Sequence, residues 1–429
     1  MFLTGFQSVL SGKQFKVGER EYIAEEEGPK GLLNSTYDFE ALKKSLPGSL
    51  LSPTLGMFRY MPFLPIDPKD QLPNVQVGGT PLIPVPQDRS PFKIQLWIKD
   101  EGREPTASLK DRASALVCVK AKELGKTVVT TASSGNAAAA TSCMCACLGL
   151  KPVIFVPAHA PPAKVLQNRL YGATVFLVEG VYDRAVEAAM GAAKKYGWYN
   201  RSTGFNPYTI DGKKTVSFEI CEQLGGILCP EETKGECSWG KLGKFVAPDA
   251  IVVSVGDGNI ISGVHKGLKE LFAAGLIEKV PKIIGVQAEG SNSVYVCWSQ
   301  KIDPVNMPVC EGSTLADSIS CPTPNDPIRA FRAATETNGA YVQVTDEEIL
   351  VAIPTMARAT GIFPEPAAAA GFAGIFKAEQ QGYLKPGEKV VMISTGNGLK
   401  DINNATKSME GKNVATLIKT YEDIDGSKI

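Results

Sequence analysis

The chain has little of several features that mark common functional classes. Only two of its 429 residues are histidines, and 45 Lys and Arg residues are balanced by 45 Asp and Glu residues. With no net charge, bulk electrostatics does not attract the chain to nucleic acid or to an anionic membrane. No stretch reaches the roughly 20 apolar residues of a membrane span, and the first residues lack the apolar core of a secretory signal. We therefore expect neither a nucleic-acid nor a membrane partner.

The cysteines also lack the spacing of metal ligands. Of the 10 cysteines, three alternate along residues 143–147, and on a helix this spacing scatters their side chains around the axis. Three more lie between residues 221 and 237 without a CxxC pair among them. We therefore expect no metal site, and free thiols of this kind fit the reducing conditions of the cytoplasm.

The order of apolar and polar stretches predicts an α/β protein. From residue 79 onward, apolar runs bounded by Gly and Pro alternate with stretches of helical periodicity. Strands are predicted at 94–98, 127–131, 152–156, 175–178, 250–255, 282–287 and 389–394, and helices at 110–124, 136–148, 163–171, 182–196 and 261–274. This alternation favours mainly parallel sheets with crossover helices, and a chain of this length favours two domains over one.

Two stretches depart from this alternation. Residues 1–75 are mixed, with a short helix predicted at 38–46 and a Pro-rich aromatic segment after it. We expect them to form an arm that wraps a neighbouring domain or subunit. Residues 225–244 are polar and rich in Gly, and we predict a loop there.

The segment GREPTASLKDRAS, residues 102–114, places a lysine after a turn of small residues and at the start of a predicted helix. An amine held in this way is typical of lysines that first form a Schiff base and then move protons. A surface lysine in the first turn of a helix is the ordinary alternative. Lys110 is therefore the candidate catalytic residue.

Two further segments join a strand to a helix through residues suited to anions. In TTASSGNAAAA, residues 130–140, free N–H groups at the helix start form a site for a carboxylate, and Asn136 is placed to donate to a phenolate-type oxygen. In VVSVGDGNIISG, residues 252–263, glycines let backbone N–H groups converge on a phosphate. The glycine spacing is not Gly-x-Gly-x-x-Gly, and no P-loop Lys-Ser/Thr follows, which favours a monophosphate over a nucleotide. An N-cap and a tight strand–helix connection are the ordinary alternatives.

The fourth segment, VVMISTGNGLKD at residues 390–401, ends an apolar strand in Ser-Thr-Gly. A hydroxyl at this position is a neutral partner for a pyridine nitrogen and leaves that nitrogen largely unprotonated. Such a ring is a weaker electron sink, which favours elimination or replacement over transamination. An ordinary strand-to-turn connection explains this sequence equally well.

Together and in this order, the four segments resemble the fold-type II pyridoxal-phosphate enzymes of the tryptophan synthase β superfamily, and within them threonine synthase and its relatives. That family has Asn-Pro-Thr-Gly-Ser-Phe-Lys-Asp-Arg where this chain has EPTASLKDR at 104–112. The family's Ser-Ser/Thr-Gly-Asn and Thr-Gly-x-Gly-Leu-Lys-Asp segments match residues 133–136 and 395–401. Further matches are GGTPL at 78–82, WIKDE at 97–101 and EPAAAA at 365–370. The resemblance runs from about residue 76 to about residue 402.

The resemblance implies a specific architecture. It implies two three-layer α/β/α domains with mainly parallel sheets and an active site in the cleft between them. After an N-terminal extension at 1–75, a large domain would combine residues 76–112 and 204–429, and a small mobile domain would span residues 113–203. A homodimer is typical of the family.

The resemblance also implies pyridoxal 5′-phosphate as cofactor and an amino acid as substrate. Lys110 would carry the cofactor as a Schiff base and act as the acid–base group. The implied cofactor-binding residues are Lys110, Asn136, Gly256, Asp257, Gly258, Asn259, Ile260 and Thr395. The substrate carboxylate would be received at Ser133, Ser134 and Gly135.

The chain departs from the family at a position that bears on the substrate. Many threonine synthases have an arginine where Thr209 stands, and that arginine grips the phosphate of O-phosphohomoserine. A planar, bidentate cation is the natural phosphate ligand, and a threonine cannot replace it. Arg201, Lys213 and Lys214 are near in sequence and are candidate substitutes. Tyr208, Asp317 and Glu365 are further candidate cleft residues. The chain also has Glu104 and Ala107 where the family has Asn and Gly, and its phosphate loop is one residue shorter.

Three hypotheses on function follow. In the first, the chain is a lyase of the threonine synthase type, which converts O-phosphohomoserine and water to threonine and phosphate by γ-elimination and β-addition. In the second, favoured by Thr209, it eliminates ammonia or water from a different, non-phosphorylated amino acid, or replaces its β- or γ-substituent. In the third, it is a non-catalytic nucleotide-binding protein, which leaves the lysine segment unexplained.

Overall fold

The computed structural model describes residues 2–46, 53–158, 160, 162–180, 182–228 and 244–411. Its strands are β1 (Leu3–Ser8), β2 (Gln14–Lys16), β3 (Leu33–Tyr37), β4 (Leu82–Pro84), β5 (Gln95–Asp100), β6 (Val128–Ala132), β7 (Lys151–Pro157), β8 (Thr174–Val178), β9 (Tyr199–Asn200), β10 (Ala250–Ser254), β11 (Lys282–Ala288), β12 (Ala340–Val344) and β13 (Lys389–Ser394). Its helices are α1 (Phe39–Ser45), α2 (Lys110–Glu123), α3 (Asn136–Leu148), α4 (Pro162–Leu170), α5 (Tyr182–Tyr196), α6 (Tyr208–Leu228), α7 (Asn259–Ala273), α8 (Ser293–Ser299), α9 (Pro327–Thr335), α10 (Asp346–Thr360), α11 (Pro366–Gln380) and α12 (Ile402–Ser408). Within the described ranges, no helix is both long and apolar enough to cross a membrane.

The larger sheet has the strand order β12-β11-β10-β13-β5-β4, and its neighbouring strands are parallel except for the edge pair β4 and β5. Its central strand β10 is buried along its whole length. Ile251 and Val253 point into a hydrophobic cluster shared with α6 and α7, and Val252 points into another shared with α10 and α11. Because helices cover both faces, β10 has the continuous apolar sequence typical of a central parallel strand.

The smaller sheet has the order β8-β7-β6-β9, and all its pairs are parallel. Ala185 of α5 packs on one face with Phe155, and Ala138 of α3 packs with Ile154. Two layered α/β units with mainly parallel sheets confirm the predicted fold class. The domain boundaries stay predictions, although the strands of the smaller sheet lie between residues 128 and 200 and the larger sheet takes strands from both sides of that stretch.

The N-terminal region forms an antiparallel sheet of order β2-β1-β3, followed by α1. Helix α1 is the predicted short helix, and Asp38 caps it by accepting a hydrogen bond from the N–H of Ala41 at 3.0 Å. The sheet was not predicted, because β2 has three residues and the strands lack long apolar alternation. The sheet docks on α6, where Ser35 donates to the buried Asp211 at 2.5 Å.

The prediction of a loop at 225–244 is wrong for its first residues. Helix α6 continues to Leu228, and its glycines serve close packing. A Cβ added at Gly225 would lie 1.8 Å from the carbonyl oxygen of Lys244, and one at Gly212 would lie 2.2 Å from that of Arg112. Residues 229–243 of the predicted loop lie outside the described residues.

A buried ionic network fixes the start of α2 to the larger sheet. The Arg112 guanidinium contacts Glu101 at 2.6 Å, Glu104 at 3.2 Å and Glu219 at 2.8 Å. Lys99 contacts Glu219 at 2.7 Å. All these side chains are almost fully buried, so removing one cation leaves carboxylates without compensation.

We expect Arg112→Met to lower the free energy of unfolding by about 3–5 kcal/mol, since it leaves buried carboxylates unpaired. Urea denaturation of the two proteins measures this difference. Arg103→Met is the matched control, because Arg103 pairs with Asp100 at 3.2 Å but is 67% exposed, and we expect its effect to stay within about 1 kcal/mol. Equal effects of the two substitutions would contradict the network's role.

Candidate active site

Lys110 lies where two chain segments pair at the carboxyl end of the larger sheet. The N–H of Leu109 donates to the carbonyl of Thr395 at 3.0 Å, and the N–H of Asn397 donates to the carbonyl of Ala107 at 3.1 Å. These bonds join the turn before α2 to the turn after β13. The lysine and Ser-Thr-Gly segments, which are almost 300 residues apart in the sequence, therefore meet at one place.

The turn before Lys110 is held by its own side chains. Asp111 accepts hydrogen bonds from the N–H of Thr106 at 2.6 Å and from its hydroxyl at 2.7 Å. Burial raises the pKa of Asp111 to about 6, against these hydrogen bonds. Ala107 has φ 62°, in the left-handed region that favours glycine. This conformation explains why the related family has a glycine here, and Ala107 adopts it at a conformational cost.

The Lys110 side chain is half-buried, and no described residue makes a hydrogen bond or ion pair with its Nζ. Burial lowers its pKa, the Asp257 and Glu365 carboxylates raise it, and the Arg201 guanidinium lowers it. The net shift is downward. A lower pKa keeps more of the amine neutral near physiological pH, and only the neutral amine is a nucleophile.

The glycine turn at 256–258 precedes the start of α7. Gly258 has φ 84°, and a Cβ there would lie 2.7 Å from the Cβ of Ala330. A Cβ at Gly256 would lie 2.7 Å from the Cα of Ile319. No side chain of the described ranges caps the first N–H groups of α7, so this helix start is open to an anion.

A cavity of about 340 Å³ opens beside Lys110. It is lined by Pro105, Thr106, Ala107, Ser134, Gly135, Asn136, Gln167, Asp317, Ser318, Glu365, Pro366, Ala367, Leu399, Lys400 and Asp401. A smaller adjoining space is lined by Leu109, Lys110, Asn136, Ser254, Ile260, Ser318, Ile319, Glu365, Ala367 and Thr395. The lysine, the start of α7, Asn136 and Thr395 thus line one space, and the start of α3 lines the cavity beside it.

Glu365 connects two of the predicted site residues. Its carboxylate accepts from the amide of Asn136 at 3.0 Å and from the hydroxyl of Thr395 at 3.3 Å. Glu365 is 4% exposed, and burial raises its pKa although Asn136 and Lys110 oppose the shift. Sequence reasoning named Glu365 as a cleft candidate with no stated role, although the EPAAAA match was the signal that marked it.

Two buried basic residues, Arg201 and Lys213, act electrostatically with Lys110, although neither lines the cavity or the smaller space. Arg201 donates to Ser114 at 3.1 Å and to Thr203 at 2.6 Å, while its buried Nη2 atom has no hydrogen-bond partner among the residues that the structure describes. Burial lowers the pKa of Arg201 to about 10. Lys213 donates to Asn259 at 2.5 Å, and its pKa is lowered by burial and by the nearby Lys110 and Arg201. A cluster of this charge is suited to an anion.

Thr209 itself does not face that cluster as a ligand. Its hydroxyl donates to the carbonyl of Asn206 at 2.8 Å and accepts from the N–H of Gly204 at 3.3 Å, so it fixes the start of α6. Lys213 follows one helical turn later, and residues four apart share a helix face. A cation on the face of position 209 is therefore present, but it is carried by Lys213.

Of the other predicted residues, some line the cavity and others lie in the core or between helices. Ser134 and Gly135 line the cavity, while the Ser133 hydroxyl accepts from the N–H of Gly135 at 3.2 Å and shapes the turn. Tyr208 lies in the core, with its ring 5.9 Å from that of Phe6, and its role as a substrate-binding residue stays a prediction. Lys214 pairs with Asp211 and Glu270 and belongs to the packing between α6 and α7.

Comparison with known proteins identifies the family. The family model described as "Pyridoxal-phosphate dependent enzyme" matches residues 74–396. The chain belongs to the pyridoxal-phosphate dependent enzymes. It is 33% identical to a threonine synthase of Methanocaldococcus jannaschii over 94% of each chain. It is 34% identical to a threonine synthase of Halalkalibacterium halodurans over 82% of this chain and 91% of the relative.

Solved structures of this superfamily share the fold of the present enzyme. A threonine deaminase isoform from Solanum lycopersicum superposes with a TM-score of 0.62 at 22% identity, over 85% of this chain and 97% of the other. Maize serine racemase superposes with a TM-score of 0.60 at 21% identity, over 77% of this chain and 91% of the other. At these identities the likeness concerns the fold alone.

The residues present fit pyridoxal phosphate. A phosphorylated aldehyde needs an amine and an anion site within the length of one small ligand. Lys110 and Ile260, at the start of α7, line the same small space. Gly256 and Gly258 leave no room for a Cβ against Ile319 and Ala330, and the turn that they form leads into the N–H groups at the start of α7, which are suited to an anion. Thr395 supplies a neutral hydroxyl in that space.

We expect the apoenzyme to capture pyridoxal phosphate at a pH at which an ordinary lysine is almost wholly protonated. Because the pKa of Lys110 lies below its ordinary value of 10.5, the neutral amine persists as the pH falls below that value. Stopped-flow absorbance of cofactor capture, compared with Nα-acetyl-lysine, measures the midpoint. If the capture rate of the apoenzyme rises with pH in the same way as the rate for Nα-acetyl-lysine, up to pH 10, the pKa of Lys110 is not lowered.

Proposed function

We propose that this enzyme is a lyase that converts O-phosphohomoserine and water to threonine and phosphate by γ-elimination and β-addition. The main observation behind this proposal is the position of Lys110 between the start of α7 and Thr395. A nucleophilic amine, an anion site and a neutral hydroxyl lie side by side there. The similarity to threonine synthases over 94% of the chain supports the substrate. Pyridoxal phosphate supplies an aldehyde and an electron-withdrawing ring, which together acidify the Cα–H bond of an amino acid.

Each end of the cofactor has a residue suited to it. Lys110 would hold the cofactor through its aldehyde, and the backbone of residues 256–260 would receive the phosphate at the start of α7. Asn136 would serve the phenolate-type oxygen, and the Thr395 hydroxyl would serve the ring nitrogen. Glu365 now accepts from both side chains, and Asn136 also donates to Ser318 at 3.3 Å. Glu365 thus holds Asn136 and Thr395 at one space, and both would exchange these hydrogen bonds for the cofactor on binding.

The substrate carboxylate is received at the start of α3. Ser134, Gly135 and Asn136 line the cavity, and no side chain of a described residue caps the first N–H groups of this helix. When the carboxylate of an amino acid is held there, its α- and β-carbons are directed towards Lys110. The Lys110 amine then takes and returns protons at those carbons, and its lowered pKa suits that exchange.

The phosphate of the substrate binds at Arg201 and Lys213. Both side chains are fully buried, and within the described part of the chain the Nη2 atom of Arg201 has no hydrogen-bond partner. A buried guanidinium with an unused N–H is costly unless a ligand completes it. These two cations replace the arginine that many related enzymes carry at position 209.

The cleft between the two sheets excludes water from the reaction when it closes, with residues 113–203 as the small mobile domain and residues 76–112 and 204–429 as the large one. We further propose a homodimer in the cytoplasm. The free cysteines among the described residues support a reducing compartment.

The direct test of the reaction is phosphate release from O-phosphohomoserine with equimolar threonine formed. We expect the wild-type enzyme to catalyse it and Lys110→Ala to lose at least about 1,000-fold in kcat, since both the covalent attachment and the proton transfers depend on this amine. Lys120→Ala, on the same helix, is the matched control. Turnover by wild type without threonine formation would refute the proposed reaction.

The phosphate site is tested by Lys213→Gln. We expect the KM for O-phosphohomoserine to rise about tenfold or more, because a charge-assisted contact to phosphate is lost, with a smaller effect on kcat. The assay uses saturating pyridoxal phosphate, because Lys213 also contacts Asn259 at the start of α7. Lys214→Gln removes the neighbouring lysine, which pairs with Asp211 and Glu270, and we expect it to lower thermal stability and leave KM unchanged. An unchanged KM in Lys213→Gln would remove this lysine from the substrate site.

One observation favours a second function. Thr209 is a neutral residue, and its hydroxyl already donates within the backbone turn, so position 209 offers no cation to a substrate phosphate. The alternative is an elimination or replacement on a non-phosphorylated amino acid such as serine, threonine or a diamino acid. Comparing kcat/KM for these substrates with that for O-phosphohomoserine decides between the two, and a higher value for a non-phosphorylated substrate would favour the alternative.

A further inference from the structure

A line of buried polar side chains runs from the N-terminal sheet to the start of α7. Arg329, in α9, donates from Nη1 to the carbonyl of Leu33 at 3.1 Å and to the Asn34 side chain at 2.9 Å. Its Nε donates to Asp326 at 2.7 Å. The other carboxylate oxygen of Asp326 accepts from the Asn259 amide at 2.9 Å. Strand β3 is thus connected to the first residue of α7 by consecutive hydrogen bonds.

The chemistry of the line fixes the orientation of the Asn259 side chain. Its NH₂ group donates to the Asp326 carboxylate at 2.9 Å, and its oxygen accepts from the Lys213 amine at 2.5 Å. Reversing the amide would set an oxygen against a carboxylate and would leave the Lys213 N–H group without its acceptor. Asn259, Asp326 and Lys213 are almost fully buried, so water is not a ready substitute partner.

The same aspartate also touches the glycine turn. Its N–H donates to the carbonyl of Asp257 at 3.0 Å, and its carbonyl oxygen lies 2.8 Å from where a Cβ of Gly258 would stand. Asn325 donates to the Asp257 carboxylate at 2.7 Å. The residues just before α9 therefore hold both the turn and the first side chain of α7.

We propose that Asp326 and Arg329 are positioning residues, through which the N-terminal sheet holds the turn and Asn259 in the geometry that binds the cofactor's phosphate. This inference rests on the proposed assignment of residues 256–260 to that phosphate. It gives strand β3, which lies outside the residues matched by the family model, a role in the active site. We call this hydrogen-bonded line from β3 through Arg329 and Asp326 to Asn259 the relay. The relay acts on the phosphate end of the cofactor and leaves the aldehyde end to Lys110.

The test compares pyridoxal phosphate with pyridoxal, which lacks the phosphate. Each is titrated into the full-length apoenzyme and its binding is followed by visible absorbance. We expect Asp326→Asn and Arg329→Met each to weaken pyridoxal phosphate binding about tenfold, with pyridoxal binding changed less than about twofold. A merely structural defect would weaken both ligands together, because both need the same fold.

Arg332→Met is the matched control. Arg332 lies on the same helix and also ties the N-terminal region, by donating to the carbonyl of Val9 at 3.1 Å, but it has no place in the relay. We expect it to bind both ligands as the wild type does. Thermal unfolding of all variants shows whether the fold is retained.

The results separate two failures. If the wild type prefers pyridoxal phosphate over pyridoxal and both relay variants keep that preference, or lose affinity for both ligands equally, the relay is refuted. The same holds if Arg329→Met alone keeps the preference, because the N-terminal sheet is then not connected to the site. If the wild type shows no preference, the phosphate assignment itself is wrong, and the relay inference falls with it.

Discussion

The backbone pairing between the turn before α2 and the turn after β13 is the constraint on which the site depends. Two hydrogen bonds, Leu109 to Thr395 and Asn397 to Ala107, set Lys110 at the carboxyl end of the larger sheet. Ligands in open α/β sheets bind at such ends, where helices begin and loops diverge. Without this pairing, the amine of Lys110, the start of α7 and the hydroxyl of Thr395 would not line one small space.

The pairing is itself secured by buried charge. Arg112 follows Lys110 by two residues and is enclosed by Glu101, Glu104 and Glu219. Buried ion pairs contribute little net stability compared with apolar packing, but breaking one is costly. The network therefore specifies where α2 begins more than it stabilises the fold. The strained φ of Ala107 is tolerated in this setting, because the residues around it are fixed on both sides.

Much of the architecture was predictable because, in the central elements, the apolar periodicity and the Gly and Pro residues at the ends indicate the same helix or strand. Helices α3 and α5 and strand β13 have the predicted bounds. Helices α10 and α11 were missed although their signals are strong, a capping box at Thr345 and Glu348 in the first and an Ala-rich sequence in the second. Other missed elements have weak local signals. Strand β12 has five residues and includes the polar Gln343, and α6 carries several glycines whose value lies in close approach to other segments. Tertiary packing decides such elements, and a single sequence does not display it.

In the site, too, local segments were predictable and contacts between distant residues were not. Lys110, the glycine turn, Asn136 and Thr395 were found because each sits in a recognisable strand–turn–helix or strand–turn segment. The burial of Arg201, the hydrogen bonds of Glu365 and the relay through Asp326 were not predictable, because they join residues that are far apart in sequence. The position of Lys213 one turn beyond Thr209 was accessible from helical spacing, provided that the start of α6 had been recognised.

The most direct measurement of the central claim is borohydride reduction of the enzyme with its cofactor bound, followed by peptide mapping by mass spectrometry. Reduction makes the bond between cofactor and lysine permanent, so the modified residue can be located. The account predicts that the phosphopyridoxyl group is found on Lys110. Its presence on another lysine, such as Lys213 or Lys99, or the absence of any modified lysine, would contradict the account.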